Sequence, residues 1–223
     1  MDWSFVLAHV QDFLAGAWVT LRFGLYGIGC SLVLGLVCCL VRFFRVPLLK
    51  SLVHVYIEVA RNTPLLIQLF FLYAGLPRAG IRLSAEACAV IGLTFLGGAY
   101  MAEAFRSGLE SVDRFQREAG ECLGLTWGQN VRYVLLPQAM ATASPALFAN
   151  IIFLLKETSV FSVLALMDLM NVADTLRTSG GRTIEVLFLL VVAYVALLLP
   201  VSLAATFTER RLKYAGFGDQ RSV

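Results

Sequence analysis

The polar residues best suited to binding a small ligand interrupt stretches that are otherwise apolar. Lys156-Glu157-Thr158-Ser159 breaks a run that begins near Gln138 and resumes as Val160 to Met170. Thr158 or Ser159 is a good N-cap for the resumed segment, and the start of a helix offers free backbone N–H groups to a carboxylate. Asp168 and Asn171, three apart, share one face of that segment and suit an amine. Glu103 interrupts another apolar run, and the next charge, Arg106, follows three positions on. Its carboxylate either pairs with that arginine or meets a ligand's ammonium or guanidinium group. A charge in hydrocarbon is costly enough to be a functional candidate by default. A binding site is therefore expected among Glu103, Thr158, Ser159, Asp168 and Asn171, with the Lys156 break either at mid-membrane or at the outer surface.

Other polar groups read as structural. Arg22 lies near the end of its apolar run and can snorkel to headgroups, while Glu58 and Arg61, three apart, can neutralise each other. His54 shares a face with Glu58, but two ligands without a third make no metal site. The five cysteines, Cys30, Cys38, Cys39, Cys88 and Cys122, have neither CxxC spacing nor nearby histidines and read as small inert thiols. Lys50-Ser51 lacks the glycines of a phosphate-binding loop, so no nucleotide or other cofactor is expected on this chain. HExxH and GxSxG are absent, which speaks against an intramembrane enzyme.

The candidates must be positioned by helices in a bilayer. Of the 223 residues, 59% are hydrophobic and 15% charged, whereas soluble chains average about a quarter charged. The net charge of +3 is scattered between apolar runs and leaves no nucleic-acid footprint. Runs at about 17–41, 52–75, 86–107, 138–160 (irregular) and 185–207 match the roughly 30 Å hydrocarbon core. One all-α membrane domain over 1–223 with five transmembrane helices is expected. Eleven basic residues fall on one side of these spans: Arg42, Arg45, Lys50, Arg106, Arg114, Arg117, Arg132, Arg210, Arg211, Lys213 and Arg221. Only Arg78, Arg82, Arg177 and Arg182 fall on the other. The positive-inside rule then places the N-terminus outside, in the periplasm, and the C-terminus in the cytoplasm. No Lys or Arg precedes the first run, so a signal peptide's positive region is missing and the first helix is expected to be retained.

Between the third and fourth spans, Ser107 to Leu136 is too polar to cross. It has helical composition around Arg117 to Leu125 and Trp127 to Leu135, with Gly124 placed to end one helix in a left-handed conformation. It is long for a helix connection and suits docking to a partner. Within it, Glu118-Ala119-Gly120, then Gly124, then Val134, Leu136 and Pro137 resemble the EAA loop of binding-protein-dependent ABC transporter permeases. Gly120 stands where that family usually has Ala, and Val134 where Ile is common. Ala99 to Gly108, Leu136-Pro137-Gln138-Ala139 and Leu155 to Val160 are similar to the polar-amino-acid class of these permeases, the histidine, glutamate, glutamine and arginine group. Arg61-Asn62-Thr63-Pro64-Leu65-Leu66 is similar too, with Asn62 replacing Gly. The resemblance runs from Gly16 to Arg211.

The resemblance implies a type I ABC importer-like fold, multi-pass in the bacterial inner membrane among its lipids, that moves an amino acid by alternating access. It implies that the loop at about 114–136 forms a coupling helix. Glu118, Ala119, Gly120, Gly124 and Leu125 would then dock into ATP-binding cassette subunits, which bind ATP and Mg. Glu118 is expected to favour the helix N-terminal dipole and Pro137 to set the start of the next span. The further partners implied are a second permease subunit, like or unlike, and a periplasmic or lipid-anchored solute-binding protein. Other readings are a permease for a quaternary amine or an oligopeptide, or a self-sufficient channel or carrier. The odd span count, the lack of an internal repeat and the long loop stand against the last.

Overall fold

The computed structural model describes residues 2–180 and 182–212; Lys213 and Arg221, used above for orientation, lie outside the described residues. The order is α1 (Trp3–Ala8), α2 (Val10–Phe43), α3 (Leu49–Arg61), α4 (Leu65–Phe70), α5 (Ala85–Glu110), α6 (Arg114–Cys122), α7 (Trp127–Asn130), α8 (Leu136–Glu157), α9 (Leu169–Gly180) and α10 (Thr183–Leu212). Among the described residues all regular structure is helical. Four stretches are long and apolar enough to cross a membrane, Val10–Phe43, Ala85–Glu110, Trp127–Leu164 and Thr183–Arg211, with a shorter apolar helix at Leu65–Ala79.

Small residues decide how these helices meet. Lipid tails are as apolar as leucine, so helices in a bilayer associate through close packing and hydrogen bonds. Along α2, Gly16, Thr20, Gly24, Gly27, Ser31 and Gly35 are buried at three- and four-residue spacing. A Cβ at Gly27 would come within 2.6 Å of the Leu93 side chain, so only glycine lets α2 and α5 approach this closely. Ser31 Oγ then donates across the contact to Leu93 O at 3.2 Å. Tyr56 on α3 donates to Phe95 O at 2.7 Å and Asn150 on α8 to Tyr100 O at 3.2 Å, so α5 is tied to three neighbours. Two-thirds of α5's apolar window is buried within the protein (67%) but little of α10's (11%), which leaves α10 facing outward.

Contacts along the helices fix their directions. Gly27 meets Leu93, Ser31 meets Gly97 and Gly35 meets Met101, so α2 and α5 run parallel and the chain between them returns through the bundle. Gly97 meets Leu154 while Gly108 meets Ala139 and Ala143, so α8 runs antiparallel to α5.

Two of the expected spans are interrupted. The run at 52–75 divides at Asn62-Thr63-Pro64 into α3 and α4, and α4 continues as a π-helical turn (Phe71–Gly75) and a 3₁₀ turn (Leu76–Ala79). Proline lacks an N–H and drives the residue before it out of the helical region, so the break falls at Pro64. The fourth span starts earlier than expected. Its helix begins at Trp127 and passes through a π-helical turn at Val131–Leu135 into α8, so Pro137 sits inside a continuous helical stretch. The wider turn accommodates the ring that would clash with a carbonyl four residues back.

Candidate functional site

At the far end of α8 the helix stops at Glu157 and continues as a 3₁₀ segment, Thr158–Leu164, that ends on Ala165 at φ 54°. The expected cap at Thr158 does not form. Its hydroxyl donates back to Leu155 O at 2.6 Å, and a hydroxyl occupied this way adds a bond to the preceding turn instead of receiving an N–H from the next. Ser162 Oγ, not Ser159, makes the next such bond, to Ser159 O at 3.3 Å. The helix start lies ten residues on, at α9, where Asp168 Oδ1 accepts from Asn171 N at 3.0 Å and Thr20 Oγ1 accepts from Leu169 N at 3.1 Å. Asn171 Nδ2 donates to Leu166 O at 2.6 Å and Ser162 O at 3.2 Å, closing the irregular stretch. Thr158, Asp168 and Asn171 are thus brought together as the fastenings of this break.

Glu103 is elsewhere. Its carboxylate is held by Arg42 of α2 and by Arg106, whose Nη2 lies 2.6 Å away, and Arg106 also binds Glu110. Leu93 packs on Gly27, and Asp168 lies beside Thr20. At 1.5 Å per residue along the two helices, Glu103 is therefore about 25 Å from Asp168. The five sequence candidates do not converge on one point.

What does converge is the pair of breaks. At the first, the carbonyls freed by Pro64 are satisfied by side chains, as hydrocarbon requires. Thr63 Oγ1 donates to Val59 O at 2.6 Å and Asn62 Nδ2 to Glu58 O at 2.8 Å. Gln68 Nε2 reaches back to Ala60 O at 3.2 Å and Thr63 O at 3.0 Å. Arg61 does not neutralise Glu58; its guanidinium lies 5.3 Å over the Tyr100 ring. Between this break, Leu96 and Tyr100 of α5, and Phe153, Glu157 and Val160 at the second break lies a cavity of about 380 Å³. Its lining also contains Asn62, Thr63, Pro64, Leu65 and Leu66, and its only charges are Arg61 and Glu157. Among the described residues, neither forms an ion pair. Leu96 neighbours Gly97, which packs on Ser31, so the cavity sits near the middle of α2. From the sequence, Arg61 reads as the structural partner of Glu58 and Glu157 as part of the Lys156 break, neither as a binding residue; the available signal was Pro64 inside an apolar run, with Gln68 four residues later.

The loop between α5 and α8 folds as two helical pieces. Asp113 caps α6, accepting from Phe115 N at 3.0 Å, so the helix starts earlier than its composition suggests. Glu118 accordingly sits in the second turn, where Arg114 Nε donates to it at 2.6 Å, and the expected dipole role passes to Asp113. Gly124 has φ +80°, with Gly124 N bonded to Glu121 O at 2.9 Å and Leu125 N to Gly120 O at 3.1 Å. These are the two bonds of a Schellman helix end. Thr126 and Gln129 then form a reciprocal capping box that starts α7. Gly120 has a packing reason: a Cβ there would lie 2.9–3.0 Å from the Asn130 amide, which is buried and donates to Arg117 O at 2.7 Å. Phe115 (76% exposed) and Leu123 (83% exposed) stand out from this otherwise polar pair, while Trp127 leans on Phe44 at the end of α2, ring centroids 6.4 Å apart.

A family model described as "Binding-protein-dependent transport system inner membrane component" matches residues 27–214. The chain belongs to this family. It is therefore a permease component in the bacterial inner membrane, crossing it several times, and not the subunit that hydrolyses ATP. Members to which it is similar include the probable glutamine ABC transporter permease GlnP of Bacillus subtilis, 35% identical over 93% of this chain and 99% of the relative. Others are the glutamine transport system permease GlnP of Escherichia coli K12 (32% identical, 95% and 98% covered) and the arginine transport system permease ArtQ of B. subtilis (30%, 96% and 98%). Among solved structures, an amino acid ABC transporter crystallised with histidines superposes with a TM-score of 0.87 at 32% identity, covering 95% of this chain and 99% of that one. The MetNI methionine transporter, at 20% identity and a TM-score of 0.71, shares the fold of this family member.

Proposed function

We propose that this permease carries a polar amino acid through the cavity between its two broken helices. Five passes, counting α3 and α4 together as the second, run with the N-terminus outside and the C-terminus inside; the alternation of helix directions and the eleven-to-four basic bias support this. The observation that carries the reading is a cation, Arg61, and a carboxylate, Glu157, each without an ion-pair partner among the described residues, opening on one mid-bundle cavity. An amino acid presents the complementary charges, and broken helices at the midplane are where transporters build such sites. Thr158, Ser159, Asp168 and Asn171 hold the second break in shape, and Glu103 ties α2 to α5 at the inner end.

The assembly supplies the energy and the ligand. Ala119, Gly120, Gly124 and Leu125, with Phe115 and Leu123 projecting, form the surface on which ATP-binding cassette subunits act. A second permease completes the pathway, and a solute-binding protein delivers the amino acid from outside. Trp127 against Phe44 carries movement of that surface to α2 as a rigid-body shift. The test is purification of the intact complex, reconstitution into vesicles, and ATP-dependent uptake of labelled amino acids. Glu157→Gln and Arg61→Ala should each weaken uptake by about ten- to a hundredfold, the value of a hydrogen bond to a charged group. Uptake that is independent of ATP, or unaltered in both variants, overturns the proposal.

A further inference from the structure

Beyond the second break lies a carboxyl group that the cavity does not use. Asp168 is fully buried (0% exposed), and no Lys, Arg or His among the described residues pairs with it. One oxygen, Oδ1, accepts from Asn171 N at 3.0 Å, while Oδ2 is buried without a hydrogen-bond partner. The Tyr194 hydroxyl on α10 is buried and unpartnered too, and it lies beside Asp168 and Thr158. Thr158, also fully buried, donates its hydrogen to Leu155 O and keeps its lone pairs. Among the described residues no charge faces Asp168 from the elements packed on it. From α2 it meets Gly16 and Thr20; Asp12 is exposed, and the Arg22 guanidinium lies 5.5 Å over the Phe23 ring. On α8, Lys156 is exposed and Glu157 lines the cavity; on α10, Glu185 accepts from Asp2 N. Asp174 and Arg177 of α9 pair with each other at 2.6 Å.

A charge without a partner in a bundle interior is expensive, and a carboxyl group avoids it by keeping its proton. Burial pushes Asp168 up from the ordinary value of 3.8 to about 6. The proton also completes a chain of bonds. With it, Asp168 Oδ2 donates to Tyr194 Oη, Tyr194 donates to Thr158 Oγ1, and Thr158 donates to Leu155 O, so α9, α10 and the end of α8 are fastened together. Without it, the Tyr194 hydrogen turns from Thr158 to the charged Oδ2, and α8 drops out of the chain. Depth gives the proton access. α2 has 34 residues, about 51 Å of helix against roughly 30 Å of hydrocarbon. Thr20 is ten residues along it, so Asp168 sits close to the hydrocarbon edge on the side of the N-terminus.

We propose that Asp168 is a proton-binding site, through which the pH of the outer medium controls how firmly α9 and α10 are fastened to the end of α8. Nothing in this depends on what the cavity carries. Because the folded value is the raised one, the stability it contributes is present at acid pH and is lost as pH rises through the folded value. The test is infrared spectroscopy of the purified intact complex from about pH 5 to 8, with melting measured on the same samples. Wild type should show a protonated-carboxyl band at the acid end that fades with a midpoint near about 6 and is missing from Asp168→Asn. The amide still accepts from Asn171 N and donates permanently to Tyr194. Asp168→Asn should therefore melt with wild type at about pH 5 and a few degrees above it at about pH 8. Tyr194→Phe removes a hydrogen that serves the charged carboxylate more strongly than the neutral acid, so the band's midpoint should rise by about half a pH unit or more. Absence of an Asp168-dependent band at acid pH overturns the proposal. So does a midpoint that moves with sodium or potassium concentration, which would put a metal cation where the proton is placed. If Asp168→Asn does not assemble, Tyr194→Phe decides by itself, and an unmoved midpoint overturns the proposal.

Discussion

Replacing Gly124 tests the coupling role proposed for the end of α6. Its φ of +80° is ordinary for glycine and strained for residues with a Cβ. A Cβ built there meets nothing within 4 Å, so any cost is backbone conformation and not a clash. Alanine in this left-handed region costs about 1–2 kcal/mol, a β-branched residue up to about 3, and asparagine much less because it tolerates the conformation. At 1.4 kcal/mol per factor of ten, Gly124→Val should lower the population of the ordered loop end by one to two orders of magnitude. The two closing bonds, to Glu121 O and Gly120 O, would open with it. The assay is amino-acid-stimulated ATPase activity of the reconstituted complex, with uptake measured on the same vesicles. The expected order is wild type, Asn, Ala, Val, with binding in the cavity unchanged throughout. Full stimulation in the Val variant refutes the coupling role; an Asn variant as poor as Val shows that the side chain, not the backbone, is what matters.

Glu103→Gln leaves Arg42 and Arg106 without their shared carboxylate; with side chains about a quarter exposed, the loss should be only on the order of 1–2 kcal/mol. Ligand affinity should stay within twofold, so a tenfold loss of affinity at unchanged melting temperature would return Glu103 to the binding site. Gln68→Leu strips the donors from Ala60 O and Thr63 O, at about 1–3 kcal/mol for each carbonyl left unpaired in an apolar setting, and should lower melting temperature and ligand binding together. Unchanged melting would mean that the first break does not depend on this staple. At the N-terminal end, the Ser4 hydroxyl and then the Arg182 guanidinium hold the Asp2 carboxyl below its ordinary value of 3.8. Because the folded value is the lower one, this clasp is fully present above the ordinary value and is lost as pH falls below it. The difference in melting between wild type and Asp2→Asn should therefore be flat from about pH 8 to 5 and shrink only below about pH 4; a collapse between pH 7 and 5 contradicts it. Cysteine tags at residue 2 should react from outside and tags near Gln129 from inside, and periplasmic labelling at Gln129 would reverse the topology.

Hydropathy and charge placement were enough to indicate a multi-pass helical protein, because burying apolar surface in lipid is a property of each segment alone. The motif spacing at Glu118, Gly124 and Pro137 was enough to reach the family, and Gly124 carries its left-handed turn as its residue type suggests. These are local matters. The cavity proposed for the ligand is not local: Arg61 and Glu157 are 96 positions apart, and each looks like a residue beside a helix break until α5 brings the two breaks together. The same holds for Glu103, whose partner Arg42 lies 61 residues away on a helix brought alongside by Gly27 and Gly35. Thr158 misled for a related reason, since a hydroxyl beside an apolar run can bond forward as a cap or back to its own turn. Only the packed chain, in which Asp168 and Thr20 already serve the N-terminus of α9, decides between them.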